Sequence, residues 1–453
     1  MTELAIVESR ADRASVHICD HLRELVDWEV CHDDRAESDG GGTYWRADDL
    51  ELRSFDALHL ELERPASAFD CEPDLLVFAS RHSGDTGALL TGHFTGNVGP
   101  AEFGGADHAV AEAAPNALAR LREAFDEYAP EGYETGVECT HHGPTDVGCP
   151  SLFAELGSGD EQWDDPDGAE AVARAILELR GVEPHRGRAV VGIGGNHYAP
   201  RFERILRETP WAVGHVAADW GLEELGHPGA HEDLVASLFE ASGTDLAVVD
   251  GEWPVLEATI TDLGYRTVSE TWVRAVGDRP LEVVEAVESA LGRVEDGIRF
   301  GDCPATSFTI RSLPTDLVGT AEGIDPEAVR ETVEATTVAF ETTNGGSRIG
   351  SQAAIPDSSA GGGSDASATS ADPYRTLVEE LAAILELNYE SVSVGEDEVV
   401  AETLAFDPAL AREVGVPEGP AFGKLASGES VTVDGERIDP NDVRRHRTDR
   451  FSI

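Results

Sequence analysis

The chain has 453 residues, of which 88 are acidic and 33 basic, for a net charge of −55 at pH 7; 41% are hydrophobic. That length allows two or three domains, and the strand and helix patterns along most of it set aside a disordered acidic chain. No apolar run approaches the ~18 residues of a membrane span, and Met1-Thr2-Glu3-Leu4 lacks the basic segment of a secretory signal, so a cytoplasmic protein without membrane contact is expected.

Lys424 is the single lysine among the basic residues. At multimolar salt the Debye length shrinks to about 3 Å or less, and self-repulsion of so acidic a chain largely disappears. The acidity therefore reports a halophilic solvent setting and says little about function. Six cysteines (19, 31, 71, 139, 149 and 303) occur with no Cys-x-x-Cys pair, the pattern of a reduced compartment.

Over the first 250 residues short apolar runs alternate with amphipathic stretches. Strands are predicted at Leu4–Glu8, Leu58–Glu63, Leu75–Ala79, Ala88–His93, Tyr133–Cys139, Ala189–Ile193, Ala212–Val216 and Leu246–Val249. Helices are predicted at Arg13–Asp27, Pro115–Tyr128, Pro166–Leu179, Arg201–Arg207 and His231–Ala241. The alternation predicts an α/β fold, a layered sandwich with a mixed sheet. Beyond Gly277, helices are expected at Leu281–Gly292 and Pro326–Val338, with a strand at Phe308–Leu313. Asn344 to Asp372 is almost wholly Gly, Ser, Ala, Asp and Thr, the composition of a flexible linker, and Pro373–Leu387 follows as a helix. The predicted domains are thus 1–275, catalytic; 276–343, an accessory region; 344–373, the linker; and 374–453, a small C-terminal α+β unit.

Histidines cluster on loops that follow predicted strands. Thr140-His141-His142-Gly143-Pro144 and Gly194-Gly195-Asn196-His197-Tyr198-Ala199-Pro200 both sit where Gly and Pro force turns, and His82 and His93 bracket a hairpin-like segment upstream. Imidazoles on strand-end loops are placed to bind metal or move protons. The metal candidates are accordingly His82, His93, His141, His142 and His197. Glu138, His141, His142 and His197 are the catalytic candidates. Adjacent His141 and His142 point to opposite faces of an extended segment unless the loop turns between them.

Gly194 and Gly195 could turn backbone N–H groups toward an anion or oxyanion, with Asn196 as a cap. The turn is not a dinucleotide fingerprint, because His197 stands where the third glycine would be. His215 reads equally as a buried core histidine. His17/His21 and His227/His231 have i,i+4 spacing but read as solvated or Pro-interrupted. No Gly-x-Ser-x-Gly occurs, and Ser151 and Ser158 read as loop and substrate-lining residues. Between Arg174 and Arg207 there are seven arginines and three acids, a basic island in an acidic chain. Arg188, Arg201 and Arg204 in it are candidate contacts to a phosphate backbone, and helix-face arginines paired with distant acids are the alternative.

In order along the chain, six motifs resemble those of the archaeal and plant type of D-aminoacyl-tRNA deacylase. They are Ile6-Val7-Glu8-Ser9, Ser80-Arg81-His82, Leu90-Thr91-Gly92-His93 through Gly96-Asn97, Thr140 to Thr145, Glu155-Leu156-Gly157-Ser158 with Trp163, and Gly194 to Pro200. The resemblance covers roughly residues 1 to 275. It implies a zinc-dependent hydrolase with two zinc ions per subunit, cleaving the ester between a D-amino acid and the 3′-terminal ribose of tRNA. A monomer with tRNA as its partner is expected. Gly415–Leu425 resembles a short segment of tRNA 3′-processing endonucleases of the zinc β-lactamase type, without their metal ligands. Two other functions stay open at this point: a zinc hydrolase of an acyl-amino acid or peptide amide, and a non-enzymatic RNA-binding module.

Overall fold

The computed structural model describes residues 3–357 and 372–453, which divide into Met1–Gly277 and Asp278–Ile453. The N-terminal unit opens with β1 (Leu4–Ser9), buried throughout, and the helix Arg13–Leu25. Asp12 caps that helix by accepting from the N–H groups of Ala14 and Ser15. There follow β2 (Glu29–His32), β3 (Thr43–Ala47), β4 (Leu50–Phe55), β5 (Leu75–Arg81), β6 (Leu89–His93), β7 (Gly96–Asn97), β8 (Ala109–Val110), β9 (Glu134–Val137) and β10 (Ser151–Gly157). Eight of these form one sheet in the order β2-β3-β4-β1-β5-β10-β6-β9. The sheet is mixed: β1, β4, β5 and β10 run parallel, while β6 is antiparallel to β10 and parallel to β9. The helices Arg13–Leu25 and Pro166–Leu177 pack on it and on each other.

A second sheet was not separable in the sequence. Here β11 (Ala189–Gly194), β12 (Ala212–Ala217), β13 (Leu246–Asp250) and β14 (Arg266–Val268) lie in the order β12-β11-β13-β14, all parallel. Val191, Ile193, Ala217 and Ala247 from these strands share a core with Leu234, Val235 and Leu238 of the helix Glu232–Glu240. Strands covered on both faces read as continuous apolar runs, which is why three of the four were legible.

Two predicted features of this unit differ. Leu58–Glu63 is a 3₁₀ turn at His59–Glu61, since the alternating Leu-His-Leu-Glu pattern serves a loop that places side chains in a cavity. Ser151 is the first residue of β10, a fully buried central strand, although Glu155 interrupts its apolar run.

The unit Asp278–Ile453 is α+β with antiparallel sheets. One sheet pairs Ile298–Phe300, Ala339–Thr343, Arg348–Pro356 and Phe308–Ser312; another pairs Ser391–Val394, Glu398–Phe406 and Arg444–Ser452. The stretch read as a linker therefore begins too early: Arg348–Pro356 is a strand whose Ala353, Ala354 and Ile355 are buried. The Gly- and Ser-rich remainder, 358–371, lies outside the described residues. Leu317 and Phe340 pack in one core with Leu377, Val399 and Phe451, so the stretches read as an accessory region and a separate small unit share an interior. In the endonuclease-like segment, Val416 and Leu425 are buried core residues around the turn at Gly419.

Candidate active site

Side chains on one face of a strand recur every second residue, and directly paired residues share a face. Phe153 and Glu155 on β10 therefore face the same way. Across the ladder Phe153 is paired with His93 and Glu155 with Ser80, two residues before His82. Glu138 enters from the residue after β9, its N–H bonded to the carbonyl of Gly92. His141 and His142 reach the same place because the backbone turns between them: His142 has φ of 47°, the left-handed region. The His93 ring centroid is 4.1 Å from that of His141 and 4.9 Å from that of His142.

His197 arrives from the other sheet, on the loop after β11. Glycine is required at 194, where φ is 85° and an added Cβ would stand 2.0 Å from the carbonyl oxygen of Asp250. The Gly195 N–H donates to the Asp219 carboxylate at 3.0 Å, and Asn196 Oδ1 accepts from the Tyr198 N–H at 3.0 Å. The loop's hydrogen bonds are thus used to shape its own turn, and none of Gly194, Gly195 and Asn196 lines the cavity. The expected oxyanion role of this loop is corrected: it serves to carry His197.

A cavity of about 410 Å³ is walled by Asp12, His59, Arg81, His82, Phe103, Glu138, His141, His142, Glu155 and His197 among others, with the His93 ring packed on those of His141 and His142. Buried Glu138 is its hub. Its Oε2 lies 2.7 Å from His197 Nε2 and 3.7 Å from His141 Nε2, and its Oε1 lies 3.6 Å from His82 Nε2. Burial lowers His82 and, more strongly, His141, and brings His142 down to about 3, with neighbouring imidazoles adding to each effect. For His93 burial acts downward but the Glu155 and Glu138 carboxylates outweigh it. His197 is pushed up to about 10 by hydrogen bonds to Cys139 and Glu138. Burial pushes Glu155 up to about 7.

The donor set fits a divalent transition metal. His93, His141 and His142 each direct Nδ1 to a backbone carbonyl, of Phe94, Cys139 and Gly143, at 3.0, 2.9 and 2.7 Å. A carbonyl only accepts, so Nδ1 carries the proton and Nε2 presents its lone pair, the arrangement of metal-binding imidazoles. His93 Nε2 and Glu138 Oε1 are buried with no hydrogen-bond partner. Ligand atoms of His93, His141 and His142 lie within 4.8 Å of one another, as do those of His82, Glu138 and His197, and those of Cys139, His141 and His197.

Residues 69–266 match the family model described as D-aminoacyl-tRNA deacylase. A Natronomonas pharaonis protein named D-aminoacyl-tRNA deacylase is 54% identical over 99% of this chain and 100% of its own length. The chain belongs to the D-aminoacyl-tRNA deacylase family. A Methanoregula boonei protein of the same name is 31% identical across 97% of this deacylase and 96% of its own length. The deacylase is also similar to the crystal structure of a conserved protein of unknown function, AF0625. There the identity is 28% and the TM-score 0.54, covering 60% of this chain and 97% of that one.

Several residues of the deacylase's cavity were not singled out from sequence. Glu155 carried a signal, a lone carboxylate inside the apolar run Leu152–Leu156, while Asp12 and His59 look like an ordinary cap and loop residue. Other histidines stay outside. His215 is fully buried, with Nδ1 2.9 Å from Thr140 Oγ1 and Nε2 2.8 Å from the Ala111 carbonyl, a satisfied core histidine. His17 and His21 pack on one another, and His231 packs on His108. Ser158 lies 2.9 Å from His82 Nδ1 and supports that ring.

Most of the basic island is balanced by acids outside it. Arg204 makes a two-pronged pair with Glu270 at 2.9 and 2.6 Å, and Arg201 donates to the Val249 carbonyl beside Asp250 and Glu270. Arg174, Arg180 and Arg207 pair with Glu170, Asp49 and Asp126, and Arg188 lies near the face of Trp211. Acids distant in sequence thus cancel the local excess on which the expected tRNA contacts at Arg188, Arg201 and Arg204 relied.

Proposed function

We propose that the histidine–glutamate cavity is where this deacylase hydrolyses the ester between a D-amino acid and the 3′-terminal ribose of tRNA, with zinc as its cofactor. The observation that carries the reading is the gathering of His82, His141 and His197 around one buried carboxylate, Glu138, in a cavity that His142 also lines, with His93 packed against His141 and His142. His93, His141 and His142 would hold one ion. His82, Glu138 and His197 are a second group of potential donors, and with the single ion at His93, His141 and His142 they are left to handle protons. Zinc bound among imidazoles supplies Lewis acidity, lowering the pKa of water and polarising an ester carbonyl.

The chain's own groups handle the protons. Glu138 has one oxygen held by His197 and the other without a hydrogen-bond partner, so it can take a proton from an attacking water. His197, raised by its Cys139 and Glu138 partners, carries a proton that can pass to the departing ribose oxygen. The Phe94 carbonyl on Nδ1 orients the His93 imidazole, and buried Glu155, 3.5 Å from its Nε2, adds a carboxylate beside that donor group. Leu58, Leu60 and Phe153 give the wall an apolar part for an amino-acid side chain. A cytoplasmic, high-salt setting agrees with the tRNA substrate, the six free cysteines and the −55 charge.

The test is release of tyrosine from D-Tyr-tRNA and L-Tyr-tRNA in multimolar KCl, with and without a zinc chelator. Hydrolysis of the D-ester alone, abolished by chelation and restored by zinc, is the expected result. Turnover that survives complete zinc removal overturns the cofactor, and no turnover of the D-ester overturns the activity.

A further inference from the structure

Two features of the cavity wall are not used by the ester chemistry. Phe103 is 65% exposed, an apolar ring left in solvent at the edge of the catalytic cavity. Its position is not that of a loose loop. The Phe103 carbonyl accepts from the Gly143 N–H at 2.9 Å, directly beside His142. Asn97 Nδ2 donates to the carbonyls of Gly104 and Ala106, and the Ala106 N–H donates to Thr145 Oγ1 at 2.9 Å. The backbones close on one another without room for side chains: a Cβ at Gly104 would stand 2.0 Å from the Leu60 carbonyl oxygen, and one at Gly143 would stand 2.5 Å from Gly104. The segment is fastened to the His141–His142 loop, yet among the described residues its Phe103 ring is left largely uncovered. Exposing an apolar ring costs stability, and a fixed exposed ring beside a cavity is a surface awaiting a partner.

Arg81 is the second feature, and among the described residues the only arginine or lysine lining the cavity. Most arginines of this acidic chain are paired with carboxylates, including five of the basic island. Among the described residues the Arg81 guanidinium makes no ion pair; it lies 5.3 Å from the centroid of the Trp163 ring. Its mount is firm. The Arg81 N–H donates to Asp12 Oδ2 at 3.0 Å, and Trp163 Nε1 donates to the His82 carbonyl at 3.0 Å. With −55 charges available, an arginine held without a carboxylate at the reaction site is suited to an anion brought in by the substrate.

An exposed aromatic platform and an unpaired guanidinium on one cavity match the two recognisable parts of a nucleotide, a base and a phosphate. We infer that the cavity holds the 3′-terminal nucleotide of the tRNA, with Phe103 stacking on its adenine and Arg81 contacting its 5′-phosphate. This rests on the deacylase reading above. The geometry of the substrate agrees with it, because base, phosphate and scissile ester all hang from one ribose. Once the carbonyl reaches the histidine cluster, the base and phosphate are left at its edge. The apolar wall at Leu58 and Phe153 then remains for the amino-acid side chain. Stacking and a single local arginine also suit a protein working in salt that screens long-range attraction to RNA. Phe103 and Arg81 are positioning residues in this scheme.

A graded set of D-tyrosyl esters separates the two contacts: D-Tyr-tRNA, 3′-O-D-tyrosyl-AMP, 3′-O-D-tyrosyl-adenosine and D-tyrosine ethyl ester. The readout is the ratio of kcat/KM values between neighbours in the set. Phe103→Ala is expected to lower the adenosine-ester to ethyl-ester ratio by about tenfold or more, through KM, with Phe103→Trp restoring it. Arg81→Gln is expected to lower the AMP-ester to adenosine-ester ratio by about fivefold in high salt, with Arg81→Lys restoring part of it. A variant that depresses all four esters alike has a structural defect, which overturns the role given to that residue. If the wild type cleaves D-Tyr-tRNA but both ratios are unmoved in the variants, the nucleotide subsite is wrong while the deacylase reading stands. If the wild type cleaves no D-tyrosyl ester of the set, the deacylase reading falls and the subsite with it.

Discussion

Glu138 Oε2 stands 2.7 Å from His197 Nε2, and this contact joins two sheets that share no strand. Glu138 follows β9 of the mixed sheet and His197 follows β11 of the parallel sheet. The adjacent Cys139 N–H donates to the His197 carbonyl at 2.8 Å, so backbone and side chains close the same seam. Replacing the carboxylate by an isosteric amide keeps the shape and removes the base. Glu138→Gln is expected to lower kcat for D-Tyr-tRNA hydrolysis by about 10²- to 10⁴-fold. A folded variant within about threefold of wild type would remove Glu138 from the chemistry.

Metal binding is separable from catalysis by measuring content. Three imidazoles with Nδ1 fixed on backbone carbonyls leave three converging donors, and loss of one leaves too few for a tight site. His93→Ala and His141→Ala are therefore expected to lose at least one equivalent of zinc by elemental analysis of the folded protein, whereas His231→Ala, outside the cavity, retains the wild-type content. Full zinc in both the His93 and the His141 variants would exclude this donor set.

How much of this was readable depended on how local the signal was. Pro115 and Pro166 start helices where expected, because a proline at the first helical position acts within its own turn. His82, His93, His141, His142 and His197 stood out because each sits beside a Gly or Pro turn at a strand end. The roles of neighbouring groups were less legible. Whether Gly195 could offer its N–H depended on Asp219, 24 residues away. Whether Arg204 was free depended on Glu270, 66 residues away. β4 was missed for a similar reason: Glu51 and Arg53 look like solvent-facing residues, and only the fold shows them buried against each other. Side-chain pairing across the chain is set by topology, which periodicity does not encode.

That buried pair carries a stability prediction. Arg53 is fully enclosed, bonded to Glu51 at 2.5 Å, Asp33 at 2.6 Å and the Gly40 carbonyl at 2.9 Å, with its guanidinium 3.8 Å from the Tyr44 ring centroid. Removing the cation leaves the buried Glu51 carboxylate with only the Asp70 N–H as a partner. Arg53→Leu is expected to cost about 3–5 kcal/mol in denaturant unfolding, and Glu51→Leu in the same chain to recover much of it. A loss below about 1 kcal/mol in the single variant would mean that Glu51 finds another partner or water.

Two further buried histidines govern the acid side of stability. Burial brings His59 down to about 4, against the opposing pull of Asp12, and brings His215 down to about 4 as well. Both are neutral in the native protein, and in the unfolded chain both regain an ordinary imidazole pKa near 6.5. The unfolded state therefore binds more protons between pH 6.5 and 4. Their contribution to stability is complete above 6.5 and is lost as the pH falls toward 4, at about 1.4 kcal/mol per pH unit for each histidine. Gln at 215 retains a donor for the Ala111 carbonyl, which accepts from Nε2 in the wild type, but cannot take up a proton. In urea unfolding followed from pH 7 to 5 in multimolar KCl, His215→Gln should flatten the decline by about that one-proton slope, whatever its stability at pH 7. An unchanged slope would show that His215 titrates normally in the folded chain, and that its burial is not maintained in solution.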